Sequence, residues 1–253
     1  MTITAAGLYR YPLKGLNAEP LERVVLSPGE GLPEDRRFAL AHGSTRIDVH
    51  APRWLPKTDF LMLMRDEKLA QLRARFAPDT GMLTITRAGK RVVHAKVTEP
   101  LGRTLIDQFF AAFLGASARG APHLVEAPGH MFSDVDEKCL SLVNMASVHD
   151  LERVVRQPVD PHRFRANVHL EGAPAWAEFD WVGREISLGA ARLRVRSRIE
   201  RCGATNVDPE TAARDMNIPR ALRRGFGHIH MGVYAQVIGG GTIARGDRLV
   251  PPG

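Results

Sequence analysis

ARLRVRSRIERCGATNVDPET, residues 191–211, decides more about this chain than any other stretch. From Ala191 to Ile199 apolar and basic side chains alternate, the period of a strand with one face in a core. Leu193, Val195 and Ile199 take one side, while Arg192, Arg194, Arg196 and Arg198 take the other. Four like charges on one strand face repel unless water or an anion lies against them, and solvated surface is the ordinary reading of each. Continued regularly, the strand carries Cys202 on the arginine side; a bulge would move it. Positive neighbours favour the thiolate, the form of cysteine that attacks electrophiles and binds metals.

The two-residue period recurs on both sides of this stretch. In the first hundred residues LERVVLSPG, DRRFALAHG, FLMLM, LTIT and RVVHAKV are strand-length and separated by turn signals, which predicts a barrel or curled sheet. From residue 163 onward RFRANVHLEG, REISLG and GVYAQVIG continue the pattern. Helices are few. In RTLIDQFFAAFLG, Leu105, Ile106, Phe109, Phe110 and Phe113 repeat at helical spacing as a core stripe, and Gly115 ends it. Asn144 is placed to cap a second helix that buries Val148, Leu151, Val154 and Val155 and stops at Pro158. DPETAARDM predicts a third, with Asp208 as N-cap and Pro209 in the first position. CLSLV reads as a buried strand with Cys139 as a core thiol, and residues 119–138, rich in Gly, Pro and charge, as a long loop. GGGTIARGD lacks the Lys-Ser/Thr of a phosphate loop and reads as a flexible hairpin before a last strand. The fold class is α+β, mainly β.

With 253 residues, 44% of them hydrophobic and 25% charged, the chain has material for one large core or two small ones. No stretch has the length to span a bilayer, and MTITAAGLYRYPLKG lacks the pattern of a secretory leader. Two cysteines make no disulfide framework, so a reducing, cytoplasmic location is expected. The net charge of +7 invites a nucleic acid, yet no helix-turn-helix, zinc-finger or RNP-like pattern is present and aromatics make up only 6%. An anionic small molecule fits the charge better. No CxxC or Cys/His spacing suits zinc, so a metal held by one thiolate would need its other ligands from a cofactor. A papain-like pairing of Cys202 with His228 or His230 stays open, although HIHMGVY alternates like a strand with structural histidines.

Five segments in order resemble the MOSC family, the molybdenum cofactor sulfurase C-terminal domain, together with its N-terminal β-barrel partner. YPLKG (11–15) and EDRRFAL (34–40) are similar to that family's opening motifs. RFRANVHLEG (163–172) is similar to its central motif, RC followed by VDPET (201–211) to its signature, and GVYAQVIGGGTIARGD to its closing segment. The resemblance implies a MOSC β-barrel core at 119–253, a smaller β-rich, barrel-like N-terminal domain at 1–118, and a few peripheral helices. It also implies a molybdenum–molybdopterin cofactor (Mo cofactor), with Cys202 as the thiolate ligand to the metal. Lys14, Arg36, Arg165 and Asn167 would bind the pterin and its phosphate beside Arg201. At family level it carries an association with pyridoxal phosphate as well. Lysine and arginine suit such a phosphorylated, dithiolated ligand by charge and by forked hydrogen bonds. Three positions depart from the pattern: Gly15 stands for a serine, Ala166 for a proline, and Glu200 for a serine frequent in the reductases.

The implied activity is a molybdenum-dependent reduction of N-hydroxylated or other N- or S-oxygenated small molecules, as in the amidoxime-reducing component and its bacterial relatives. The alternative is a cofactor carrier or persulfide-transfer protein without turnover. The chain shows no flavin or nicotinamide fingerprint, no haem-attachment CxxCH and too few cysteines for an iron–sulfur cluster. Electrons must then come from a separate donor: a flavoprotein reductase, a ferredoxin or a small b-type cytochrome.

Overall fold

A computed structural model describes residues 2–48, 50–127 and 129–253. The chain begins with strands β1 (Ile3–Arg10), β2 (Glu19–Leu21), β3 (Arg23–Leu26) and β4 (Phe38–Ala41). An antiparallel meander of β5 (Leu72–Ala77), β6 (Met82–Arg87) and β7 (Lys90–Lys96) leads into helix α1 (Pro100–Leu114). Next come β8 (His123–Glu126), β9 (Leu140–Asn144), helix α2 (Met145–Val155), β10 (Val168–Glu171), β11 (Glu185–Leu188) and β12 (Ala191–Glu200). Helix α3 (Ile218–Phe226) precedes β13 (His230–Gly239), β14 (Gly241–Ala244) and β15 (Arg248–Val250).

Seven strands close into a barrel in the order β1, β10, β9, β13, β12, β11, β15 and back to β1, while β2 extends from β1. Every barrel pairing is antiparallel except β9 with β10. The alternation that marks each strand in sequence fills the interior: Leu193 and Val195 of β12 meet Val233, Ala235 and Val237 of β13, with Leu142, Val168 and Leu170 completing one buried cluster. Each buried leucine or valine among them contributes about 1.5–3 kcal/mol by leaving water.

Of the N-terminal strands β1 joins this barrel with β2 beside it, while β3 to β7 form small open sheets and not a second barrel, where the sequence predicts a barrel or a curled sheet. β5, β6 and β7 form a three-stranded sheet whose apolar face is covered by α1, and β4 pairs separately with β8. Ile106, Phe110 and Leu114 of the helix satisfy Leu72, Phe76, Leu83 and Ile85 of the sheet, so closure is not needed. Helix and β7 come within contact at Gly102, where an added Cβ would lie 1.9 Å from the Lys96 carbonyl oxygen. Gly102→Ala is therefore expected to lower stability by about 3 kcal/mol, the upper end of over-packing costs, as read from a denaturant midpoint. An exposed control, Ala112→Gly in the same helix, should cost about 1 kcal/mol.

Three local expectations are corrected. FLMLM is irregular, with only Phe60 bridging Ala41, and it lends Met62, Leu63 and Met64 to a cavity wall. The segment 119–138 contains the strand β8. DPETAARDM forms one capped turn instead of a helix: Asp208 accepts from the amides of Glu210 and Thr211 as a cap should, but Ala212 turns left-handed and Arg214 bridges back to Val207. The sequence boundary near 118 separates neither strand set in space, since β1 sits in the barrel and β8 beside β4.

Glu178 is fully buried, accepting from Asn144 Nδ2 at 3.0 Å and from Ser147 Oγ at 2.9 Å, with no cation paired to it among the described residues. Burial pushes its carboxyl above the ordinary glutamate value. The folded state then holds this proton more tightly than the open chain, so stability falls as pH rises from the ordinary value through the raised one. Glu178→Gln should remove that loss: melting temperatures of variant and wild type, matched near pH 4, should diverge in the variant's favour toward pH 7.

Candidate functional site

Between the barrel and the irregular segments of the N-terminal half lies a cavity of about 400 Å³. Its wall is drawn from seven stretches far apart in sequence: Lys14 and Gly15, Arg36, Lys57 with 62–64, 131–141, 163–167, 197–205, and Tyr234. Seven lining side chains are basic and two, Asp134 and Glu200, are acidic. All six residues singled out in the sequence, Lys14, Arg36, Arg165, Asn167, Arg201 and Cys202, stand on it.

Backbone pairing puts the first two in place. Lys14 follows a bridge between Leu13 and Phe38 and donates its amide to the Phe38 carbonyl at 2.8 Å. Its buried ammonium bonds the Phe132 carbonyl at 3.0 Å and Asp134. Burial pulls the lysine's pKa down and the Asp134 carboxylate opposes that. Arg36 occupies a left-handed backbone position, φ 49°, pinned by its amide to the Tyr11 carbonyl. Its guanidinium pairs with buried Asp35 and donates to the Arg165 carbonyl at 2.9 Å.

Arg165 is left-handed too, φ 51°, at the end of a short 3₁₀ turn (Pro161–Phe164) capped by the Asp160 side chain. Such conformations are costly for arginine and collect at functional sites. Both guanidiniums lie against the Tyr11 ring, that of Arg36 at 4.8 Å and that of Arg165 at 4.5 Å from its centroid. This stack holds both cations against the same wall, and cation–π attraction offsets part of their repulsion. Burial, with Arg36 nearby, brings Arg165 down to about 10, still charged at neutral pH.

Arg201 and Asn167 brace the site. Arg201 donates Nε and Nη2 to the Met231 carbonyl and Nη1 to that of Phe164, and burial lowers it to about 10. Asn167 accepts from the amide and hydroxyl of Ser141 and donates to the Tyr9 carbonyl, tying β9, β10 and β1 together. Their polar atoms are spent mainly on the protein's own backbone. Cys202, half-buried and free, begins a 3₁₀ turn (Gly203–Asn206) in which its carbonyl accepts from the Thr205 amide and hydroxyl.

Residues 128–250 match the family model for the MOSC domain. The C-terminal half of the chain is therefore similar to a MOSC domain. A mitochondrial amidoxime-reducing component 1 from Homo sapiens is 23% identical over 239 residues, spanning 85% of this chain and 69% of that protein. The crystal structure of the YuaD protein from Bacillus subtilis overlays 98% of this chain and 94% of its own at a TM-score of 0.45 and 14% identity. That of YiiM from Geobacillus stearothermophilus overlays 45% of this chain and 54% of its own at 0.36 and 21%. The MOSC span supplies Arg165, Asn167, Arg201 and Cys202, whereas Lys14 and Arg36 come from upstream of it.

Of the strand arginines only Arg198 reaches the cavity. Arg194 pairs with Glu185 at 2.7 Å and Arg196 with Glu137 at 2.9 Å on the outer surface, with Arg192 more loosely at 3.9 Å from Glu185. Register shifts on either side of 197–198 break the alternation, turn Ser197 outward and deliver Cys202 to the cavity. Sequence reasoning passed over Tyr11, Asp134 and Arg163. The last is buried and grips Asp208 at 2.9 Å and Asp215 at 2.7 Å, which anchors the loop that carries Cys202. Its position in RFR, two residues from Arg165, was the available signal.

Cys139 is buried as expected, but its side also faces the cavity; burial pushes its thiol up to about 11, so it stays protonated. No histidine lines the wall with Cys202, and His228 packs among Trp176, Phe179 and Phe226, which removes the papain-like pairing. No group of three or more His, Cys, Asp or Glu suited to a metal occurs among the described residues. Arg165 and Arg201 are desolvated without a carboxylate partner among the described residues. Such cations are costly unless an anion joins them. A cavity with two thiols, one of them held protonated by burial, and with buried cations that have no carboxylate partner fits an anionic ligand that brings most of its metal's ligands with it.

Proposed function

We propose that the chain is a molybdenum-cofactor-dependent oxidoreductase that removes oxygen from N-hydroxylated or other N- or S-oxygenated small molecules. The observation that carries this reading is the convergence of Lys14, Arg36, Arg165 and Cys202 on one cavity, with no group of three or more metal-ligating side chains among the described residues. The likenesses to a MOSC domain and to an amidoxime-reducing component support it. A molybdenum–pterin group would supply a metal centre able to take up an oxygen atom and two electrons.

Each residue has a distinct part. Cys202 offers the thiolate that a thiophilic metal prefers. Lys14, Arg36 and Arg165 present charged donors to phosphate and pterin, with Tyr11 fixing the spacing of the guanidiniums. Arg201, Asn167 and Arg163 hold the backbone segments around them. Met62, Met64, Met131 and Phe164 supply an apolar, adaptable wall that excludes water and receives the body of a substrate. For a hydroxylamine the balance is RNHOH + 2 e⁻ + 2 H⁺ → RNH₂ + H₂O. The electrons come from a separate flavin, haem or iron–sulfur protein.

Cofactor-loaded protein should not reduce hydroxylamines or amidoximes with NAD(P)H alone, and should do so with chemically reduced viologen. One observation favours the carrier or sulfur-transfer reading: two free thiols, Cys139 and Cys202, face the same cavity. Loaded protein that stays inactive with viologen across N-oxygenated and S-oxygenated compounds would establish that alternative. Turnover with NAD(P)H alone would contradict the requirement for a separate donor.

A further inference from the structure

We infer that the outer face of helix α3 is the docking surface for an acidic, one-electron protein donor; the inference rests on the oxidoreductase reading and names where its electrons enter. Arg220, Arg223 and Arg224 are exposed on α3 at spacings of three and four, so they share one face. None has a carboxylate partner among the described residues, whereas Arg192, Arg194 and Arg196 on β12 face Glu185 and Glu137. Arg156 ends α2 close by, since Val154 packs against Gly225.

The helix's own chemistry does not account for this cluster. Like charges three and four apart disfavour a helix, and Arg220 stands in the first turn, the end where the helix dipole disfavours a cation. Only Arg223 and Arg224, in the last turn, complement it. An acidic partner resolves the unpaired face and is drawn to it over long range.

The position is what makes the surface useful. Asn206 Oδ1, in the turn that follows Cys202, accepts the Ile218 amide that opens α3 at 2.9 Å. On the inner face Ile218 and Leu222 pack in one cluster with Phe164, itself on the cavity wall. A donor on α3 is thus one layer of protein from the site. It delivers two electrons singly, and the two protons that balance the reaction come from solvent.

The test compares three holoproteins: wild type, Arg220→Glu/Arg223→Glu/Arg224→Glu, and a control, Arg75→Glu/Lys90→Glu/Arg91→Glu, with the same charge change on the exposed side of the β5–β7 sheet. A reduced [2Fe–2S] ferredoxin of net negative charge serves as protein donor, and viologen as small donor. The α3 variant should raise KM for ferredoxin at least tenfold and flatten its salt dependence while viologen turnover is unchanged. Binding to immobilised ferredoxin, measured without turnover, should weaken in parallel. Equal losses in the control, or unchanged ferredoxin binding and KM in the α3 variant, would overturn the assignment. Wild type inactive with viologen would instead overturn the oxidoreductase reading itself.

Discussion

Cys202→Ala, loaded in a cofactor-competent host, is expected to lose more than about a hundredfold in viologen-driven turnover. Changes one shell beyond a metal's ligands already cost about ten- to a hundredfold, and this one removes the ligand. Cys202→Ser should rank between alanine and wild type, because an oxygen donor occupies the same place with less affinity for a thiophilic metal. The comparison that makes the experiment specific is Cys139→Ser. Both thiols face the cavity, but Cys139 is buried in the barrel wall and its proton is held up to about 11. Its replacement should leave turnover within a few-fold and lower stability modestly. Equal losses in the two variants would mean that the thiols act together, as a sulfur relay would require.

The second large effect is expected at the arginine pair. Arg165→Ala should weaken retention of cofactor by roughly ten- to a hundredfold, the equivalent of one charge-assisted hydrogen bond at about 1.5–3 kcal/mol. Part of any change will be structural, since Arg165 also donates to the Leu16 carbonyl and stacks on Tyr11. Two companions separate these parts. Arg165→Lys keeps the charge but not the planar fork, so it should recover only a fraction of the loss. Tyr11→Leu removes the ring that both guanidiniums contact while leaving every charge in place, and should lower retention less than Arg165→Ala does. Retention is read as pterin remaining after dialysis, with melting temperature as the control for folding. Full retention in Arg165→Ala would place the cofactor's anionic groups elsewhere.

How much of this was legible in the sequence depended on whether a physical period survived. The first half of β12 alternates cleanly from Ala191 to Arg196, and β9 is buried throughout, so both read directly as strands. β1 did not. Its inward set is Ile3, Ala5 and Leu8, with a shift in register between Ala5 and Gly7, so the alternation fails inside the strand that closes the barrel. Asp208 showed the opposite failure: a correct cap signal with no helix behind it, because Arg163 and Arg214 claim the following residues for other contacts. The candidate site was visible only as separate motifs. Nothing in the spacing of Lys14, Arg36 and Arg165 brings them together; that comes from the Leu13–Phe38 bridge and from Arg36 reaching the Arg165 carbonyl. Tyr11 stands within YPLKG but has no evident role until two guanidiniums are seen against its ring.

The most direct measurement is molybdenum and pterin content of the wild-type protein from a cofactor-competent host, joined to molybdenum X-ray absorption on wild type and Cys202→Ala. The account predicts about one molybdenum and one pterin per chain, and one fewer sulfur around the metal in the variant. Protein without molybdenum or pterin, or a sulfur shell unchanged by loss of Cys202, would contradict it.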